Sequence, residues 1–234
     1  MNHLVSIENL SKRYAGVEAL SGVSLNIPKG SIVGLLGPNG SGKTTLIKIL
    51  MGLLSRYEGQ VRIAGVAPGE LANQHIAYLP DRSHIPTWFN VTEAIHFFAD
   101  FYRDFNQNRA YAMLESMEIP LKKKIKTLSR GMQEKVGLAL VMSRQAKLYI
   151  LDEPIGAVDP ASRDFIMETI LKNYGEESSI LLSSHIISDI ESVLDRAIFL
   201  KMGKVIMDDE IDHIRSKNQK SLDELFREVF RNVR

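Results

Sequence analysis

The chain of 234 residues contains no cysteine. Disulfides, Cys-ligated zinc and thiol nucleophiles are thereby excluded, and a reducing cytosol is compatible with that composition. An excess of charge of either sign is also missing. With 29 basic and 28 acidic residues the net charge is +1, so nothing in the balance asks for nucleic acid or an anionic membrane as the main partner. No apolar run approaches the ~20 residues that span a bilayer, so a role at a membrane would pass through another chain. The start, Met1 to Glu8, has no basic stretch followed by an apolar one, and no secretory signal is expected. Internal repeats, low-complexity segments and long heptad runs are lacking too. What remains is a chain 44% hydrophobic, enough for one well-packed core with a smaller lobe.

Against that background one segment stands out. Gly37-Pro38-Asn39-Gly40-Ser41-Gly42-Lys43-Thr44-Thr45 satisfies G-x-x-x-x-G-K-[ST] in full. It follows an apolar run, Ile32 to Leu36, and precedes a helix-like stretch, Leu46 to Leu50, which is the strand–loop–helix context the motif needs. The glycines let the backbone curl so that its N–H groups converge on anionic oxygens. The helix that follows adds its positive end. Lys43 supplies a full charge for the β- and γ-phosphates, and the Thr44 hydroxyl suits Mg²⁺. A Gly-rich turn that binds nothing is the bland alternative, and the flanks argue against it.

The first part of the chain reads as β, at Leu4 to Glu8 and Leu20 to Ile27. Residues 91–144 read mostly as helix, with Asn90 and Glu93 spaced as a capping box. Leu148 to Leu151 and Ile180 to Leu182 are short continuous apolar runs, as strands buried on both faces should be. Ala197 to Leu200 and Val205 to Met207 flank Met202-Gly203, a hairpin signal. These elements imply an α/β core with an inserted helical lobe. Leu222, Leu225, Phe226, Val229 and Phe230 form one helical stripe, expected to pack on the chain's own core. Lys122-Lys123-Lys124 with Lys126 reads as a solvated cluster.

Asp152 and Glu153 end the buried run Leu148 to Leu151, where ligands bind in such sheets. Asp152 is positioned to hold Mg²⁺, through water, and Glu153 to polarise an attacking water as general base. A strand end capped by a turn would look the same, but a full phosphate loop upstream changes the weight. His185 follows the next buried run, which places it near the γ-phosphate.

Leu128-Ser129-Arg130-Gly131-Met132, taken with the phosphate loop and Leu151-Asp152-Glu153-Pro154, resembles the signature of ABC transporter ATPases. The resemblance covers essentially the whole chain. It implies a P-loop NTPase fold: a RecA-like mixed sheet with an N-terminal antiparallel β subdomain (residues 1–84 and 147–234 as catalytic core) and an inserted α-helical subdomain (85–146). It further implies an ATP hydrolase that uses Mg²⁺. Tyr14 takes the place of the aromatic residue that stacks on adenine, His185 that of the switch histidine, and Asp159 lies in the loop that crosses the dimer interface. Two such domains, identical or not, close head-to-tail over ATP, so the resemblance puts Ser129 and Gly131 on the partner's nucleotide. Ser129 is also a good helix N-cap, which would make a second anion site. Arg130 and Met132 depart from the family pattern. So does Asp81, which stands where the family has glutamine, beside Mg²⁺ and the lytic water. The combination is similar to ATPase subunits of bacterial peptide and antibiotic exporters, peripheral on the cytoplasmic face of a separate membrane permease. A soluble ABC ATPase and a regulatory nucleotide-binding module are the rivals.

Overall fold

A computed structural model describes residues 3–82, 85–156, 160–175 and 177–231. Its N-terminal part is a three-stranded antiparallel sheet in the order β2-β1-β4, made of β1 (His3–Tyr14), β2 (Val17–Pro28) and β4 (Glu58–Ile63). In β2 the buried residues Leu20, Val23, Leu25 and Ile27 are separated by exposed Ser24 and Asn26 over its second half. That period-two alternation is what a sheet with one covered face requires.

The second sheet has six strands in the order β5-β6-β7-β3-β8-β9. It comprises β3 (Ile32–Leu36), β5 (Ile76–Leu79), β6 (Leu148–Asp152), β7 (Ser179–Ser184), β8 (Arg196–Lys201) and β9 (Lys204–Glu210). All its pairings are parallel except β8 with β9. Its central strands are buried along their whole length because both faces are covered. Val33 and Leu35 join one hydrophobic cluster with α1 (Lys43–Leu50) and the antiparallel sheet, whereas Ile32 and Leu36 join the other. Leu148 and Ile150 likewise oppose Tyr149 and Leu151.

Between β5 and β6 come α3 (Val91–Phe101), α4 (Gln107–Ser116) and α5 (Arg130–Met142); the short α2 (Glu70–Asn73) precedes β5. The Asn90–Glu93 capping box opens α3, with Asn90 Oδ1 accepting from Glu93 N at 2.8 Å and Glu93 Oε2 from Asn90 N at 2.7 Å. Lys122, Lys123, Lys124 and Lys126 are exposed in the connection before α5. Arg144 fastens these helices to the sheet edge. It is almost fully buried, makes a two-nitrogen contact with Asp104, lies 4.0 Å over the Tyr102 ring, and donates through Nη1 to Ile76 O at 2.5 Å.

The chain closes with α6 (Pro160–Asn173), α7 (Ile211–Asn218) and α8 (Leu222–Phe230). As the stripe predicts, α8 packs on its own core: Phe226 and Phe230 lie 5.6 and 5.8 Å from Phe199, centroid to centroid. Glu191 anchors it by accepting from Leu222 N and from Arg215.

Candidate functional site

The phosphate loop leaves the C-terminal end of β3, which lies between β7 and β8. Its three glycines serve different purposes. Gly40 and Gly42 have φ of 79° and 114°, where a Cβ is strained. Gly37 needs no such φ; a Cβ there would lie 2.4 Å from Leu200 O and 2.6 Å from Ser41 Oγ. Around a Cβ at Gly40 there is nothing within 4 Å, so the loop's mouth is open. Gly42 precedes α1 with no side-chain cap and no acidic residue in the first turn. The first N–H groups of α1 are therefore left to an outside acceptor. Ser41 Oγ is buried with no hydrogen-bond partner among the described residues.

Lys43 is buried and folds back over the loop, donating to Gly37 O at 2.6 Å and Pro38 O at 3.3 Å. Burial pulls its ammonium below the ordinary lysine range, against the upward pull of Glu153 and Asp152. Thr44 is exposed and Pro38 and Thr45 half-buried, while Asn39 and Gly40 face solvent. The loop is braced from the C-terminal hairpin. Gly203 N donates to Ser41 O at 2.9 Å, and Ser21 N to Gly203 O at 2.9 Å. Met202 and Gly203 both have positive φ, as the hairpin turn demands.

Asp152 ends β6 in register with Ser183 of β7. Ser183 Oγ donates to Asp152 Oδ1 at 2.5 Å. Burial pushes the Asp152 carboxyl up; the Ser183 hydroxyl and Lys43 pull it back, and Asp81 adds an upward push. Glu153 has φ of 53°, a conformation that costs a non-glycine residue about 1–3 kcal/mol and gathers at functional sites. Its N–H is held by Ser183 O and Oγ at 3.1 and 3.2 Å. His185 Nδ1 lies 2.8 Å from Glu153 Oε2. The structure thus unites Lys43, Asp152, Glu153 and His185 at one end of the sheet. Asp81, exposed just beyond β5, belongs to the same field. Tyr78 beside it is pushed up to about 12 by burial, with Asp152 and Asp81 acting in the same direction.

Three expected residues take no part in these hydrogen bonds: Ser129, Gly131 and Tyr14. Ser129 caps α5, accepting from Met132 N at 3.3 Å, as its residue type predicts. It is exposed, Gly131 is half-buried, and the bonds Ser129 accepts from Met132 N and Gln133 N stay within the helix start. Arg130 is held at the surface by Glu134 at 3.3 Å, and Met132 packs against the core. Tyr14 ends β1, 40% exposed, with Lys12 Nζ 4.9 Å from its ring. Asp159 lies outside the described residues. Ser183, Arg144 and Gly203 are contributors that sequence reading misses. Only strand register reveals the first, Arg144 belongs to no local motif, and the Met202-Gly203 hairpin signal gives the turn but not its bond to Ser41.

A divalent cation fits the arrangement only in part through protein. Among the described residues, no group of three or more His, Asp or Glu side chains is placed to hold one. Thr44 and Asp152 would leave most positions to phosphate oxygens and water, as Mg²⁺ in nucleotide sites prefers. No helix of the described residues is long and apolar enough to cross a membrane.

A family model described as "ABC transporter" matches residues 20–156. The lantibiotic transport ATP-binding protein SrtF of Streptococcus pyogenes is 32% identical over 236 residues, covering 95% of this chain and 96% of SrtF. The SkfA peptide export ATP-binding protein SkfE of Bacillus subtilis is 33% identical over 213 residues, covering 88% of each. Among solved structures, the ATP-binding subunit of an ABC transporter superposes with a TM-score of 0.86 at 28% identity, over 97% of this chain and 99% of that one. A dimeric ATP-binding cassette in a post-hydrolysis state, bound to ADP and Pi, does so with a TM-score of 0.78 at 25% identity, over 88% and 98%.

Proposed function

Since this chain belongs to the ABC transporter ATP-binding family, we propose that it hydrolyses ATP with Mg²⁺ and drives a separate membrane permease, as the export ATPase of a peptide or antibiotic system. The observation that carries the reading is the meeting of Lys43, Asp152, Glu153 and His185 around one loop mouth, with the Glu153–His185 contact of 2.8 Å.

The phosphate loop and the first turn of α1 hold the β- and γ-phosphates with N–H groups, and Lys43 turns from its loop carbonyls to meet their charge. Tyr14 offers its exposed ring to the base. Thr44 and Asp152 hold Mg²⁺, with Asp81 beside them; the bound ion supplies neutralisation of phosphate charge. Glu153 takes a proton from water as the new oxygen–phosphorus bond forms and the bond to ADP breaks. His185 holds the Glu153 carboxylate through Nδ1–H.

Ser129 and Gly131, remote from the loop's hydrogen bonds, act on the nucleotide of a second copy or a related subunit in a head-to-tail dimer, with Asp159 at its interface. A protein partner is supported by exposed apolar side chains. Leu53 and Phe101, 65% and 68% exposed, line a groove between the core and the inserted helices, and Phe97 stacks on Phe101. Such clusters mark interaction sites. A permease docked there would hold the chain on the cytoplasmic face of the membrane.

The test is a nucleotide titration and a Mg²⁺-dependent ATPase assay of the wild type and Lys43→Ala. Loss of tight ATP binding in the variant, with turnover in the wild type, is expected. Unchanged ATP affinity would remove Lys43 from this role, and no turnover would leave only a binding module.

A further inference from the structure

The Ser183 hydroxyl hydrogen-bonds to both Asp152 and Glu153, at the side chain of the first and the backbone of the second. Ser183 lies on β7 at 0% exposure, directly across from Asp152 in the β6–β7 pairing. A hydroxyl has one proton to give and two lone pairs to offer. Here the proton goes to Asp152 Oδ1 at 2.5 Å, and a lone pair accepts from Glu153 N at 3.2 Å. The Ser183 carbonyl accepts from the same N–H at 3.1 Å. The next residue, Ser184, turns the chain by accepting from Ile186 N at 3.0 Å, and His185 then reaches the Glu153 carboxylate. Glu153 is therefore gripped at both ends: by Ser183 of β7 at its backbone, in the left-handed region, and by His185 just beyond β7 at its side chain.

We propose that Ser183 is a positioning residue for the hydrolytic step, tying the cation-side carboxylate Asp152 and the base Glu153 into one rigid unit; this rests on the roles given above to those two residues. With its proton committed to Oδ1, Ser183 fixes the Asp152 carboxylate in one rotation and leaves Oδ2 uncommitted by this contact. By holding the Glu153 N–H it also keeps Glu153 in the strained φ that brings its carboxylate to His185. Outer hydrogen bonds of this kind orient ligating carboxylates, and their loss costs about 10–100-fold in metal affinity or activity.

The experiment compares the full-length wild type with Ser183→Ala, Ser183→Cys and Glu153→Gln. Three quantities are read: kcat and KM for ATP, the affinity of a fluorescent ATP analogue with Mg²⁺ and with EDTA, and the melting temperature. In Ser183→Ala, kcat and the Mg²⁺-dependent gain in analogue affinity should each fall about 10–100-fold, with affinity in EDTA unchanged. Ser183→Cys, close in size but a weak donor, should move the same way, and it is the variant read if the alanine form does not fold. Unchanged kcat and an unchanged Mg²⁺ gain would overturn the proposal. So would an equal loss of affinity with and without Mg²⁺ together with a lowered melting temperature, which marks a merely structural serine. If Glu153→Gln keeps full turnover, the site reading itself is wrong; if it loses turnover while Ser183→Ala does not, only the role of Ser183 is.

Discussion

His185 Nδ1 and Glu153 Oε2 sit 2.8 Å apart, although 32 residues separate them in the chain. Their exposures differ sharply, at 54% for His185 and 14% for Glu153. The acid is sheltered and the imidazole reaches solvent. Glu153→Gln keeps the shape but cannot take a proton. Turnover should fall about 10²-fold or more, and with ATP and Mg²⁺ a closed dimer should accumulate. Size exclusion with scattering detection checks this. A variant that stays monomeric at high ATP while turning over at the wild-type rate would contradict both halves.

Ser129→Arg places a bulky cation at the exposed start of α5, away from the phosphate loop. ATP binding to single subunits should be unaffected and closure blocked. Mixed with Lys43→Ala, it should regain part of the lost activity, because one of the two sites then has an intact loop facing an intact Ser129. Demonstrated mixed dimers with no recovery at any ratio would remove the contact in trans.

Asp81 tests a departure from the family pattern. It is exposed beyond Pro80, and its negative charge is felt by Asp152, Tyr78 and Glu134. Asp81→Ala should leave ATP affinity nearly intact but weaken the response to Mg²⁺, and Asp81→Gln should recover part of it. ATPase rate against Mg²⁺ concentration is the measurement. A wild-type curve for Asp81→Ala would leave Asp81 as a turn residue only.

Tyr78 gives a pH dependence. Its phenol is raised from 10.0 to about 12, so folding favours the neutral ring. The stabilisation is complete below the unfolded value near 10 and disappears as pH rises towards 12. Ultraviolet titration should show a phenol that ionises near the upper value in the wild type and is missing from Tyr78→Phe, while Tyr149, also raised by burial, titrates late in both. The phenylalanine variant should also resist alkaline unfolding better. Coincident ionisation curves would refute the assignment.

Arg144→Ala should cost stability on a scale of about 3–5 kcal/mol, because Asp104 and the Ile76 carbonyl lose a buried cationic partner. Thermal unfolding measures the loss. A melting temperature equal to the wild type would mean that the inserted helices hold to β5 without this residue.

Much of the site is legible in the sequence because its pieces are contiguous. The loop from Gly37 to Thr45 states its own chemistry, and Asp152-Glu153 follows an apolar run that reads as a buried strand. The caps at Asn90 and Ser129 are local and read correctly, and the stripe on α8 is strong enough to predict where it packs. What resists reading is set across strands. The bond from Ser183 to Asp152 exists because β6 and β7 pair in one register. Arg144 finds Asp104 and Ile76 only after the helices dock. β5 is short, and β4 has just Val61 and Ile63 as buried residues, so neither stands out from its surroundings. Gly37 is legible as a necessary glycine but for the wrong reason, since its constraint is Leu200 O and not its own φ.

The strand that carries the phosphate loop is complete by residue 36, yet both neighbours that hold it, β7 and β8, are contributed by residues 179–201. The brace on Ser41 comes later still, from Gly203. During synthesis the nascent chain therefore displays its nucleotide motif long before it can shape it. β3 must wait, apolar and unpaired, until most of the polypeptide has left the ribosome. The phosphate loop is thus made early and braced late: its strand gains its two neighbours, and Ser41 its backbone partner, only from residues 179–203.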